Sequence, residues 1–150
     1  MHTFASPDET LRAVGRTFGP GAWLEITQER VDAFADATGD HQWIHVDPER
    51  AAAGPFGGTI AHGYLTLSLV PMLGAYVLAY DGCSAKLNYG TEKVRFPQAV
   101  RVGSRVRAHA SIAGAQRTDA GVRVTVRWTL EIEAEPKPAC VADTVVLLVP

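Results

Sequence analysis

Residues 64–80, YLTLSLVPMLGAYVLAY, are apolar around every helical face, and no other stretch restricts the fold as much. A membrane-crossing helix needs about 20 apolar residues. This run is shorter, is interrupted by Pro71 and Gly74, and has no flanking basic anchors. A helix with no polar face that cannot span a bilayer has to be enclosed by its own protein. Pro71 is expected to bend it or to begin a second segment.

The second half of the chain supplies the enclosure. In RVRAHASIA, Val106, Ala108, Ala110 and Ile112 alternate with Arg105, Arg107, His109 and Ser111. In VRVTVRWTLEIE, Val122, Val124, Val126, Trp128, Leu130 and Ile132 fall on one face and Arg123 to Glu133 on the other. Period-two alternation is the mark of antiparallel strands with one wet face. SAKLNYGTEKVRF and ACVADTVVLLV read as further strands, and AGAQRTDAG as a hairpin connection. The expectation is an α+β fold in which at least four long strands wrap one buried helix. Open sheet edges invite pairing, so a homodimer joined edge to edge is expected to close the remainder.

The first half reads as short helices. Leu11–Val14 follows a Ser6-Pro7-Asp8 start signal, and Trp23–Ile26 reads as a strand leading to Thr27 as N-cap. QERVDAFADATG has helical spacing at 31, 34, 35 and 37, with Gly39 placed to end it. VDPERAAAG starts another helix with Asp47 as cap and Pro48 at its first position, stopping at Gly54.

With 150 residues, 47% hydrophobic and 20% charged, the chain is expected to form one domain over 1–150, without linker or repeat. A net charge of −2 gives no support to nucleic-acid binding. Residues 1–83 hold four Lys/Arg against ten Asp/Glu, and residues 84–150 hold ten against six. A basic second half can attract an anionic ligand such as a nucleotide-bearing thioester, although strand arginines ordinarily form a solvent face. Cys83 and Cys140 make no disulfide framework. The start MHTFASPDETLRAVG has no secretory pattern, so a cytoplasmic location is expected.

Chemistry concentrates in TGDHQWIHVD, residues 38–47. His41 and His45 are four apart, but Gly39 and Pro48 break the continuous helix that i,i+4 zinc ligands use, and no third ligand follows in a recognisable spacing. No metal is expected. Asp40 and His45, five apart across a turn, can converge on one water as an acid–base pair. No nucleophile elbow or phosphate-cradling loop occurs. Water addition, elimination or hydrolysis without a bound cofactor is the chemistry left.

These residues also carry a family resemblance. FADATGDHQWIHVDPERAA resembles the signature of the MaoC-like, R-specific enoyl-CoA hydratases, the hydratase 2 group. Its pattern falls on Phe34, Gly39-Asp40, Ile44-His45 and Ala51. GGTIAHGYLTLSLV and LNYGTEKVRFPQAVRVGSRV are similar to the family's second and third blocks, in the same order. Where that family commonly has Asn-Pro, this chain has Gln42-Trp43 with the gap unchanged.

The resemblance implies a hot-dog fold, a bent antiparallel sheet around one long helix. It also implies reversible hydration of trans-2-enoyl-CoA to the (3R)-hydroxyacyl thioester, within fatty acid metabolism. On this reading Asp40 and His45 hold the water, Gly63 offers its N–H to the thioester carbonyl, and Ser68 supports the site by hydrogen bonding. His62 is expected to shape the start of the helix. The partner is an acyl-CoA substrate, with no nucleic acid, membrane or separate cofactor. A hot-dog thioesterase or a non-catalytic acyl-CoA binding protein are the competing readings.

Overall fold

The four long strands are present and adjacent in a computed structural model that describes residues 1–150. They are β5 (Ala85–Arg95), β6 (Arg105–Thr118), β7 (Gly121–Ile132) and β8 (Cys140–Val149). Short β2 (Thr17–Phe18) and β3 (Leu24–Glu25) both pair with β6, giving the order β2-β6-β7-β8-β5, antiparallel throughout. The separate β1 (His2–Phe4) runs parallel to β4 (Leu78–Tyr80). A 3-10 turn over Pro7–Arg12 links β1 to β2.

The alternation decides the burial. Val106, Ala108, Ala110 and Ile112 are buried, and so are the even-numbered residues from Val122 to Ile132. Their inner face packs on Leu65, Leu69, Val70 and Leu73 from the apolar run, in one cluster of 26 buried residues. Each such aliphatic side chain contributes roughly 1.5–3 kcal/mol on burial.

That run is not one long helix. It forms α4 (Gly63–Ser68) and α5 (Val70–Gly74), and its last residues leave the helix to become β4. Pro71 has no N–H to return to the preceding turn, which is why the helix breaks there. Nor is it enclosed on every side within one chain. Tyr64, Met72 and Tyr76 are exposed, along a stripe that the sheet does not reach.

The stretch AGAQRTDAG does connect β6 to β7 as a hairpin, but only Asp119-Ala120 form the turn, and the residues up to Thr118 are strand. A register shift between Ile112 and Gly114 resets the alternation, and β6 then continues opposite β7 to the pair Thr118–Gly121. Val122 and Val124 are buried and need a paired backbone beside them, so cross-strand pairing outweighs the loop-like composition of Gly114-Ala115-Gln116.

Capping in the first half follows the sequence. In α1 (Gln28–Thr38), Thr27 accepts from the Arg30 N–H, and Gly39 closes the helix in the left-handed region at φ 80°. Asp47 caps α3 (Pro48–Ala52) by accepting from the Arg50 N–H. Between them lies α2 (Trp43–Val46), a single turn that no periodicity announced. No helix is long and apolar enough to cross a membrane.

Candidate active site

Gly39 turns the chain out of α1, and the single turn of α2 brings it back. Asp40 therefore stays exposed at the mouth, while His45 points inward and is buried. Three contacts hold His45. Its Nδ1 donates to the Ile60 carbonyl at 2.7 Å, its backbone carbonyl accepts from Gln28 Nε2 at 2.7 Å, and its N–H reaches the Gln42 carbonyl at 2.9 Å. Gln28 also accepts from the buried Thr59 hydroxyl at 2.5 Å, so α1 clamps both segments that meet at the histidine.

The tautomer follows from the partner. A carbonyl oxygen can only accept, so Nδ1 carries the proton and Nε2 of the neutral ring is the basic nitrogen. Nε2 has no protein partner. Burial pushes the His45 pKa below the usual histidine value and the nearby His62 adds to this, while the Ile60 bond and the Asp40 charge oppose it. The net shift favours the neutral ring.

Of the other residues singled out by sequence, Gly63 comes to the same place. It lines a cavity of about 250 Å³ together with His45, Ile60, Thr66 and Phe96. As the first residue of α4 it has no helical acceptor for its N–H, and that N–H makes no backbone hydrogen bond elsewhere. A side chain at this position would meet the Phe96 ring at 2.9 Å, so glycine is what lets α4 begin this close to that ring.

Ser68 is not brought to the dyad. Its hydroxyl donates back to the Tyr64 carbonyl at 2.7 Å, and it lines a larger cavity of about 690 Å³ with Leu67, Pro71, Tyr80 and Trp128. His41 also turns away: it pairs with Asp36 at 2.8 Å on the solvent side, and that bond raises its pKa.

His62 is the site residue that spacing did not reveal. It is buried, stacks on His45 with ring centroids 3.8 Å apart, and lies beside Asp40. One ligand-type atom each from Asp40, His45 and His62 falls within 4.8 Å of the others. Atoms spaced this way leave a point within hydrogen-bond reach of all three. A metal ion fits less well. The two imidazoles are only 24° from parallel, so their in-plane lone pairs do not converge on one centre, as metal ligation needs. The only sequence sign of His62 was its position next to Gly63. Gln28 gave none, because a glutamine at a helix start is unremarkable.

The geometry is that of a buried imidazole, an adjacent carboxylate and a free N–H around a small cavity. Comparison with known proteins agrees with it. The MaoC like domain family matches residues 9–133.

The chain belongs to the MaoC-like dehydratase family.

A curated relative, 3-hydroxyacyl-thioester dehydratase Z of Mycobacterium tuberculosis, is 54% identical over 97% of this chain and 97% of that protein. Nodulation protein N of Rhizobium leguminosarum is 42% identical over 99% of this chain and 93% of that one. Among solved structures, an (R)-hydratase from A. caviae superposes with a TM-score of 0.72 at 26% identity, covering 90% of this chain and 96% of that chain. The fold of this MaoC-like dehydratase is thus the hot-dog fold, and the enzyme is a carbon–oxygen lyase.

Proposed function

We propose that this MaoC-like dehydratase is an R-specific enoyl-CoA hydratase, interconverting a trans-2-enoyl-CoA plus water and the (3R)-hydroxyacyl-CoA. The observation that carries the reading is the buried His45, protonated at Nδ1 by its bond to Ile60 and open at Nε2 beside Asp40. The names of two similar proteins, a 3-hydroxyacyl-thioester dehydratase and an (R)-hydratase, support the substrate class and the hand.

In the hydration direction a water sits between Asp40 and His45. Asp40 accepts one of its hydrogens and His45 Nε2 the other. The water oxygen bonds to the β-carbon as its proton passes to Nε2, and the carbon–carbon π electrons move toward the thioester. Negative charge then grows on the thioester carbonyl, where the Gly63 N–H stabilises it. The imidazolium returns its proton to the α-carbon. The dehydration direction reverses each transfer. Asp40 orients the water and balances the transient charge on His45. The larger cavity beside Ser68 is the space we assign to the acyl chain.

Incubation of the purified protein with crotonyl-CoA, with chiral analysis of the product, tests the proposal. The expected product is (3R)-hydroxybutyryl-CoA. Free CoA without hydrated thioester would instead make it a thioesterase, and tight binding with no turnover a carrier.

A further inference from the structure

His62 is a buried, chemically versatile side chain to which the dyad mechanism gives no task. It is 3% exposed. Its Nε2 donates to the Asp40 backbone carbonyl at 2.9 Å, since a carbonyl can only accept. One face of the ring lies on His45, and Phe34 stands 5.0 Å away at a tilt. Its Nδ1 has no hydrogen-bond partner. Buried polar atoms left unpaired cost stability and call for an explanation.

A single side chain therefore touches both members of the dyad by different means. A hydrogen bond reaches the main chain of Asp40, and ring stacking reaches the imidazole of His45. We propose that His62 is a positioning residue for the dyad, holding the Asp40 loop and the His45 ring to one water. The proposal rests on the hydratase reading for its kinetic consequence, not for its geometry.

The surroundings of His45 make the effect readable. The charged or titratable groups acting on it are Asp40, from the loop after α1, and His62, ahead of α4. From α1 it meets the neutral Gln28 amide, whose Nε2 donates both to the His45 carbonyl and to Asp32. From the segment before α4 it meets the Ile60 carbonyl. The other cavity residues named above, Gly63, Thr66 and Phe96, are uncharged. A like-charge neighbour lowers a histidine's proton affinity, so removing His62's nitrogens moves the His45 midpoint upward.

Two variants separate the two grips. His62→Phe keeps a ring to stack but deletes the donor and the ionisable nitrogens, whereas His62→Gln keeps a donor but deletes the ring. Nitrogen-15 NMR titration of His45 reads the charge effect without any substrate, and thermal melting verifies folding. Kinetics on crotonyl-CoA read the positioning effect. Both variants are expected to raise the His45 midpoint and to lower kcat by up to about 10²-fold, the scale of a small misplacement of catalytic groups, with KM little changed. Folded variants with a wild-type midpoint and a wild-type kcat would overturn the proposal. If His62→Phe does not fold, an unshifted midpoint in His62→Gln overturns it. A shifted midpoint in a protein whose wild type hydrates no enoyl thioester would uphold the positioning role and remove the hydratase reading.

Discussion

His45 Nδ1 and the Ile60 carbonyl, 2.7 Å apart, fix which nitrogen of the histidine is free to work. Without that bond the ring could flip or change tautomer and present Nδ1 to the water. On the proposed mechanism Asp40 then has a partner of defined polarity, and both residues are needed. His45→Gln and Asp40→Asn should each lower kcat by roughly 10²–10⁴-fold, the usual range for general acid–base groups. Circular dichroism should be unchanged, because Asp40 is exposed and glutamine fills much of the imidazole volume. Near-wild-type turnover by His45→Gln would refute the mechanism.

The pH dependence has a defined direction. The proposed mechanism needs His45 uncharged, and burial holds its pKa below the ordinary histidine value of 6.5. The acid limb of kcat/KM should therefore fall below pH 6.5, with activity persisting at a pH where a solvated histidine would already be half protonated. A limb above that value would show that the environment raises the pKa instead.

Much of this was legible in the chain itself. Alternation in β6 and β7 reads directly because one face of each strand is buried and the other wet. Thr27, Gly39, Asp47 and Pro48 are legible because capping is local chemistry. The break at Pro71 was expected, but the passage of Leu78–Tyr80 into a strand was not. An apolar triplet has no period, and only pairing with β1 decides its state. The strand character of Gly114–Thr118 was hidden for the same reason. His62 could not be placed beside Asp40 by spacing, since a fold-level contact joins them across 22 positions.

β5 should be the dimer edge. It is the last strand of the sheet and is exposed along nearly its whole length. Leu87 and Tyr89, 50% and 68% exposed, alternate with Lys86 and Asn88, which line the larger cavity. A long edge strand carrying exposed apolar residues pairs unless something blocks it. A homodimer at micromolar concentration is expected by light scattering, and the double variant Leu87→Asp with Tyr89→Asp should shift it to monomer. A monomeric wild type with full activity would exclude this interface.

The Tyr80 hydroxyl is buried with no partner, and burial pushes its pKa from 10.0 to about 12. A raised folded-state pKa means that the folded protein keeps the proton while the unfolded chain gives it up. Stability from this difference is intact below pH 10 and is lost as pH rises through 12, on the order of 2–3 kcal/mol in all. Tyr80→Phe keeps the ring that stacks on Phe4 at 5.6 Å and discards the group that titrates. Its melting temperature should match or exceed wild type at pH 7, and the margin should widen above pH 10. Cys140, also pushed up by burial, to about 11, affects both proteins alike. Parallel melting curves from pH 8 to 11.5 would contradict the assignment.

Trp43 stands between Asp40 and His45 where the hydratase 2 pattern commonly has proline, and its indole is half-buried. It lies against the backbone of Gly54, close enough that a methyl group there would come within 3.0 Å of the ring. The Arg50 guanidinium sits 4.4 Å above the ring. Both contacts are with α3 and its end, and the indole lines neither the cavity at His45 nor the one at Ser68. These contacts favour the indole as a brace for the turn that carries His45 over a place in the acyl pocket. Locked supporting residues of this kind act on the rate for every substrate. Trp43→Ala should lower kcat by a similar factor on short and long enoyl-CoA thioesters, and Gly54→Ala, which displaces the ring, should do the same more mildly. A chain-length series on Trp43→Ala measures this directly. If the kcat/KM ratio between chain lengths changes strongly while kcat on the best substrate holds, the indole is part of the acyl pocket.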